Sequence, residues 1–284
     1  MAQARLRGVR PALCAGTWYP GTPETLRQAV DHYLGQARVG PLPGGLVALV
    51  APHAGYIYSG PVAGYAYKAL QEAGQSFDTV VLVGPSHRAY LDGYGITSVG
   101  AYETPLGQVP LDADLVATLG RELGMLRFLS RDEEHSLEIQ LPFLQRVLGD
   151  FRLVPLMMGD QSWEACRELG QVLGQALKDR SALLVASTDL SHYHEYSRAV
   201  ALDRLVLERV EAFDPQGLVR ILERGKAEAC GGGPLAATML AAKALGADTA
   251  AVLHYANSGD VTGDRSHVVG YMAAALCRGK GTAG

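Results

Sequence analysis

The sequence predicts an α/β protein: a three-layer α/β/α sandwich around a mixed, mostly parallel central sheet. Three observations carry this. The runs Leu46–Pro52, Thr79–Ser86 and Ala182–Thr188 are short, nearly continuous in apolar residues and rich in β-branched ones. Such runs form strands buried on both faces, which belong to a parallel sheet covered by helices. Helix signals alternate with them in a β-α-β-α order. Each run also breaks off at a residue able to bind a metal or move a proton, namely His53, His87 and Asp189. Pockets in such sheets lie beyond the carboxyl ends of the strands, so the three endings are expected to converge.

The elements follow in order. Thr22 caps a helix with Pro23 at its first position, running to about Ala37. After the first apolar run, Ser59 precedes Gly60-Pro61 and a helix to about Ala73, closed by Gly74. Tyr94–Val99 reads as a strand, and Asp112 starts a helix to about Leu123. Residues 135–148 read as helical, with Pro142 kinking or restarting the element. Leu153–Met158 is a further strand, and Ser162 caps a helix to about Asp179. Asp214-Pro215 opens another that Gly225 closes, and an Ala-rich helix follows Pro234. Ala251–Tyr255 and Val268–Ala275 complete the strands. The chain reads as one domain over 1–284, with 278–284 as a frayed tail.

With 284 residues, 48% hydrophobic and 19% charged, the chain has an ordinary globular composition and enough length for a full core. The net charge of −4 and the lack of a Lys/Arg cluster argue against a nucleic-acid surface. Cys14, Cys166, Cys230 and Cys277 are scattered without a paired spacing, which suits a reducing compartment. No signal-peptide core and no apolar stretch of membrane-spanning length appears, so a soluble cytoplasmic protein is expected.

His53 lies in Ala51-Pro-His-Ala-Gly-Tyr56 and His87 in Gly84-Pro-Ser-His87. Each alone can be a strand-end histidine satisfied by the backbone; together they match the residue types of a metal site. Asp189 and His192, in Ser187-Thr-Asp-Leu-Ser-His-Tyr-His194, either form an acid–base pair or cap a turn. His194 reads as solvent-exposed. Cys230 precedes Gly231-Gly-Gly-Pro234 and a helix, where glycine amides and the helix dipole favour a thiolate fit for a metal or a nucleophile. No Gly-Lys-Ser/Thr follows, so the glycine run is not a phosphate loop. His135 follows an acidic run that complements a helix dipole, and can also support a metal ligand from behind or contact substrate. Trp18-Tyr19 and Tyr56/Tyr58 form either an aromatic pocket wall or ordinary packing. His32 and His254 read as structural.

Collected in order, these segments resemble the Memo family. The likeness rests on Trp18-Tyr-Pro20, Ala51–Tyr56, Gly84–His87, Glu134-His-Ser-Leu-Glu138, Gln140-Leu-Pro142, Ser187–Asp189 with His192, Cys230-Gly231, Tyr255-Ala-Asn-Ser-Gly-Asp260 and Val269-Gly-Tyr271. Memo proteins are similar in fold to the class III extradiol ring-cleaving dioxygenases. The resemblance implies His53, His87 and Cys230 as ligands of a divalent metal ion, Fe(II) foremost, with copper or zinc as alternatives. It implies His192 and Asp189 as the acid–base pair. His135, with Trp18 and Tyr58, would meet a small-molecule substrate. Prokaryotic members are named for a system with an AMMECR1-domain protein and a radical SAM protein, which are the partners it implies. The ring-cleaving enzymes have a carboxylate where this chain has Cys230, and a thiolate favours softer ions and shifts iron redox chemistry.

Three functions therefore compete. The first is a metal-dependent dioxygenase-like oxidoreductase. The second is a metal-free hydrolase or transferase with Cys230 as nucleophile, His192 as base and Asp189 as orienter. The third is a non-catalytic binding module for a peptide or small ligand.

Overall fold

The computed structural model describes residues 6–279. Strand β1 (Val9–Arg10) precedes helix α1 (Pro23–Gln36), strand β2 (Gly44–Ala51), helix α2 (Tyr56–Ala73) and strand β3 (Thr79–Pro85). Next come β4 (Tyr94–Thr97), β5 (Ala101–Thr104), β6 (Gly107–Pro110), α3 (Ala113–Glu122), β7 (Leu126–Leu129), α4 (His135–Glu138) and α5 (Leu141–Leu148). Then follow β8 (Arg152–Met158), α6 (Trp163–Ala176), β9 (Ala182–Ser187), β10 (His192–His194), α7 (Tyr196–Glu211) and α8 (Pro215–Glu223). The chain finishes with α9 (Gly232–Ala244), β11 (Thr249–Asn257), α10 (Ser258–Thr262) and β12 (Val268–Gly279).

The main sheet runs β10-β12-β2-β9-β3-β8-β4-β7, with β11 paired to β12; β1, β5 and β6 form a small second sheet. Its centre, β2-β9-β3-β8, is parallel, and β12 and β4 join it antiparallel at either side. Helices α1, α2 and α5 pack together beside the sheet, as do α6, α8 and α9, and α2 and α9 lie against its central strands. This is the three-layer sandwich that the apolar runs imply. Leu49, Val50, Val81, Leu82, Leu184 and Val185 are fully buried. Each such side chain contributes roughly 1.5–3 kcal/mol by leaving water.

Local chemistry sets most boundaries. Thr22, Asp112, Ser162 and Asp214 cap α1, α3, α6 and α8 by accepting backbone N–H groups through their side chains. Gly74 closes α2 in the left-handed region at φ 62°. Pro142 separates α4 from α5 by opening the second helix in its first turn.

Four expectations are corrected. The second helix starts at Tyr56, not after Ser59, and carries Pro61 inside it. Gly60 belongs to a close helix contact rather than to a helix start: a Cβ there would lie 2.5 Å from the Tyr33 ring of α1. The Ala-rich helix begins at Gly232, ahead of Pro234. Helix α7 occupies a stretch where none is expected, burying Ala199, Leu202, Val206 and Val210 along one face. Arg278 and Gly279 pair with β2 as part of β12 rather than fraying; 280–284 lie outside the described residues. No helix among the described residues is long and apolar enough to cross a membrane.

Candidate metal centre

The three flagged runs are neighbours in space. In the order β2-β9-β3, Ala51 pairs with Ser187 and Val83 with Ala186, so the strands end at one level. The loops that follow carry His53, Asp189 and His87 into one space, as the strand endings imply. Helix α4 adds His135. The ring centroids of His53 and His87 are 5.4 Å apart, those of His53 and His135 5.4 Å, and those of His87 and His135 4.8 Å. One ligand atom from each of these three lies within 4.8 Å of the others.

Each imidazole is held from behind. His53 is buried, with Nδ1 2.9 Å from Ser187 Oγ, while its main-chain N–H donates to Asp189 Oδ1 at 2.7 Å. His87 donates from Nδ1 to Glu134 Oε1 at 3.0 Å and from its main-chain N–H to Glu134 Oε2 at 2.5 Å. An ionised carboxylate only accepts, so Nδ1 of His87 carries a proton. Glu134 also caps α4 by accepting from the amides of His135 and Ser136, both at 3.0 Å. Burial opposes its charge, but the bonds from His87 and Ser136 hold the carboxyl below the usual range. His135 stacks on Trp18 with centroids 4.2 Å apart. Its Nδ1 lies 3.3 Å from Glu134 Oε1 without hydrogen-bond geometry, and so is a buried polar atom with no partner.

Two of the three imidazoles are held neutral. Burial first, then the neighbouring histidines, holds His53 well below the ordinary imidazole range. Burial lowers His135 to about 4 despite the opposing charge of Glu134. These are metal-ready bases rather than cations.

Cys230 reaches the site from the loop before α9. A Cβ on Gly231 would sit 2.3 Å from the Ser187 carbonyl oxygen, so glycine is required for this approach. The sulfur lies 3.2 Å from His53 Nε2 and accepts from the Asp189 amide at 3.3 Å. Burial pushes the thiol up to about 12, with the adjacent Asp189 adding to it; backbone bonds from Asp189 and Gly231 only partly offset this. The expected thiolate is thus disfavoured by the protein alone, because desolvation outweighs the glycine amides. A bound cation reverses that balance.

Asp189 is buried, and burial raises it to about 7 against backbone bonds from His53 and Ala54. Its side chain braces the His53 loop, and among the described residues no hydrogen bond joins it to His192. His192 shares a cavity of about 320 Å³ with Leu222, Ala227, Glu228, Ala229 and Cys230. Its amide donates to Glu228 Oε2 at 3.3 Å, and burial lowers its ring pKa. His194 is not free in solvent as expected: its Nε2 lies 2.8 Å from Glu228 Oε1. Trp18 lines one cavity of about 360 Å³ with Arg88, Glu133 and His135, and another of about 470 Å³ with Tyr56 and Tyr58. Tyr58 is therefore one cavity removed from His135.

The supporting residues carry little sequence signal. Glu134 looks like one acid in a helix-start run, and Ser187 like the polar end of a strand. Glu138 is fully buried, pairs with Arg10, and accepts from Cys14 N at 2.7 Å and Tyr19 OH at 2.6 Å. This network ties the segment bearing Trp18 onto α4. An acid flanked by apolar residues in Ser136-Leu-Glu-Ile-Gln-Leu141 is the one cue that could have marked it.

Two imidazoles with engaged Nδ1 atoms, a thiol in contact with one of them, and an orphaned third imidazole fit a metal ion. The planes of His87 and His135 differ by 21°. The His53 plane crosses that of His87 at 73°.

Fold and site together define an α/β sandwich with a metal-binding type of cluster at the carboxyl ends of its parallel strands. Residues 10–275 match the family described as Memo-like protein, and the chain belongs to it. It is 42% identical to a MEMO1 family protein of Methanopyrus kandleri, covering 95% of this chain and 99% of that one. A MEMO1 family protein of Methanothermobacter thermautotrophicus is 40% identical, covering 92% and 98%. A crystal structure of an uncharacterised protein from Escherichia coli K12 shares the fold at TM-score 0.55 and 17% identity, covering 82% of this chain and 99% of that one.

Proposed function

We propose that this protein is an iron(II)-dependent, dioxygenase-like oxidoreductase acting on a small organic substrate. The observation that carries it is the pair His53 and His87, each anchored through Nδ1, with the Cys230 sulfur 3.2 Å from His53 Nε2. His53 and His87, whose Nδ1 atoms are engaged, and Cys230 would hold the ion. When bound there with open positions, iron supplies a place where substrate and O₂ meet.

The protein's own groups do the rest. His192, kept neutral by burial, takes the proton of a substrate hydroxyl and returns it later. Glu228 fixes the backbone from which His192 projects. Asp189 acts by bracing His53 rather than by orienting His192. Trp18 and His135 form a planar wall for the substrate.

Elemental analysis of protein purified without oxygen tests this. About one equivalent of iron is expected, lost in Cys230→Ser. Full iron in that variant, with loss in His135→Ala instead, would make His135 the third ligand. The nucleophile reading is weakened by the same geometry: a thiol buried against a carboxylate is held protonated. Alkylation of Cys230 in metal-free protein at neutral pH is expected to be no faster than that of a free thiol.

A further inference from the structure

We infer that Ser187, set by Gln140 and the Ser136 carbonyl, is a positioning residue that fixes the tautomer of His53 and so presents its Nε2 lone pair. Ser187 is fully buried at the end of β9. Its hydroxyl has one proton to give and lone pairs to accept with. Three groups surround it. The Ser136 carbonyl oxygen is 2.6 Å away, Gln140 Nε2 2.8 Å and His53 Nδ1 2.9 Å.

The directions follow by elimination. A carbonyl only accepts, so the hydroxyl proton goes to Ser136. The Gln140 amide is oriented by the Pro52 carbonyl, 2.9 Å from Nε2, and by Tyr67 OH, which donates to Oε1 at 2.7 Å. Its nitrogen therefore donates to Ser187 as well. With the proton spent and Gln140 donating, the hydroxyl can only accept from His53. His53 must carry its proton on Nδ1, leaving Nε2 bare beside the Cys230 sulfur. The opposite tautomer would set two lone pairs face to face, or strip the buried Ser136 carbonyl of its donor. The same hydroxyl joins the His53 ring to the backbone beside His135, so tautomer and placement are fixed by one group.

The tautomer claim stands on the metal-free protein; only its effect on affinity rests on the reading of the pocket as a metal centre. Nitrogen-15 histidine NMR of the metal-free wild type is expected to show His53 as the Nδ1–H form. An Nε2–H form there overturns the proposal. In Ser187→Ala, a mixture of forms is expected, with zinc(II) affinity in competition titrations weakened about 10- to 100-fold. Ser187→Thr, which keeps the hydroxyl, should restore both. A Ser187→Ala protein with unchanged tautomer and zinc affinity overturns the role. Should the wild type bind no zinc, the metal reading fails while the NMR result still decides the role of Ser187. Should Ser187→Ala not fold, the wild-type tautomer alone decides it.

Discussion

Two buried polar clusters share helix α4, and they are built on opposite principles. Around Glu138, every charge is answered: Arg10 pairs with Asp132 and Glu138 and donates to the Glu134 carbonyl, and Glu138 also takes amides and a tyrosine hydroxyl. Around His53, two imidazoles and a thiol are held neutral and incompletely answered, with an orphaned His135 Nδ1 and a thiol turned toward an imidazole nitrogen. A cluster that closes on itself holds the chain together. One that leaves polar atoms open is prepared for something that arrives later.

The largest expected effect breaks the first cluster. Glu138→Ala leaves Arg10 with Asp132 alone, strips the buried Cys14 amide and Tyr19 hydroxyl of their acceptor, and should cost about 3–5 kcal/mol in denaturant unfolding. A loss under about 1 kcal/mol would show that the network does not hold the Trp18 segment to α4.

The second prediction uses proton linkage in metal-free protein. His135 is lowered to about 4 in the fold, from an unfolded value near 6.5. Between these values the unfolded chain binds more protons, so the stability that depends on neutral His135 is present above pH 6.5 and lost as pH falls toward 4. The loss approaches roughly 3 kcal/mol, and His53, lowered as well, adds to it in the same direction. Urea midpoints across that range should fall less steeply in His135→Phe. Equal slopes in variant and wild type would contradict a neutral, buried His135.

Metal sharpens the contrast from the other side. Zinc(II) at about 100 times its dissociation constant should stabilise the wild type by about 2.7 kcal/mol, and His53→Ala should abolish the shift. Thermal melts with and without zinc measure it; an equal shift in the variant would place the ion elsewhere. The smallest effect is Trp18→Ala, which removes the stack on His135 and should cost about 1 kcal/mol beyond the lost area. A double-mutant cycle with His135→Ala isolates that part, and a coupling energy of zero would mean that the stack contributes nothing.

Particular residues show what could be read in advance. The endings at His53 and His87 were visible because strands buried on both faces leave no reason for a histidine except at their ends. Cys230 was visible because three successive glycines need a close backbone approach to justify them, and Gly231 against Ser187 supplies it. The thiolate expectation failed because burial is a three-dimensional quantity that local glycine amides do not reveal. Helix α7 shows the usual apolar spacing, yet its buried Asp203 makes sense only with the Ser191 amide and Tyr255 from β11 donating to it at 2.9 and 2.7 Å.

By itself, the sequence determined the alternation of buried strands and capped helices, the parallel core, and the residue types at the strand ends. Those follow from local patterns: apolar continuity, cap side chains, glycine and proline. Only the tertiary structure decided that Glu134 holds His87, that Ser187 holds His53, and that His135 joins them. Those pairs lie 47 or more residues apart. A hydrogen bond's direction depends on every neighbour its atoms meet, which no local pattern records.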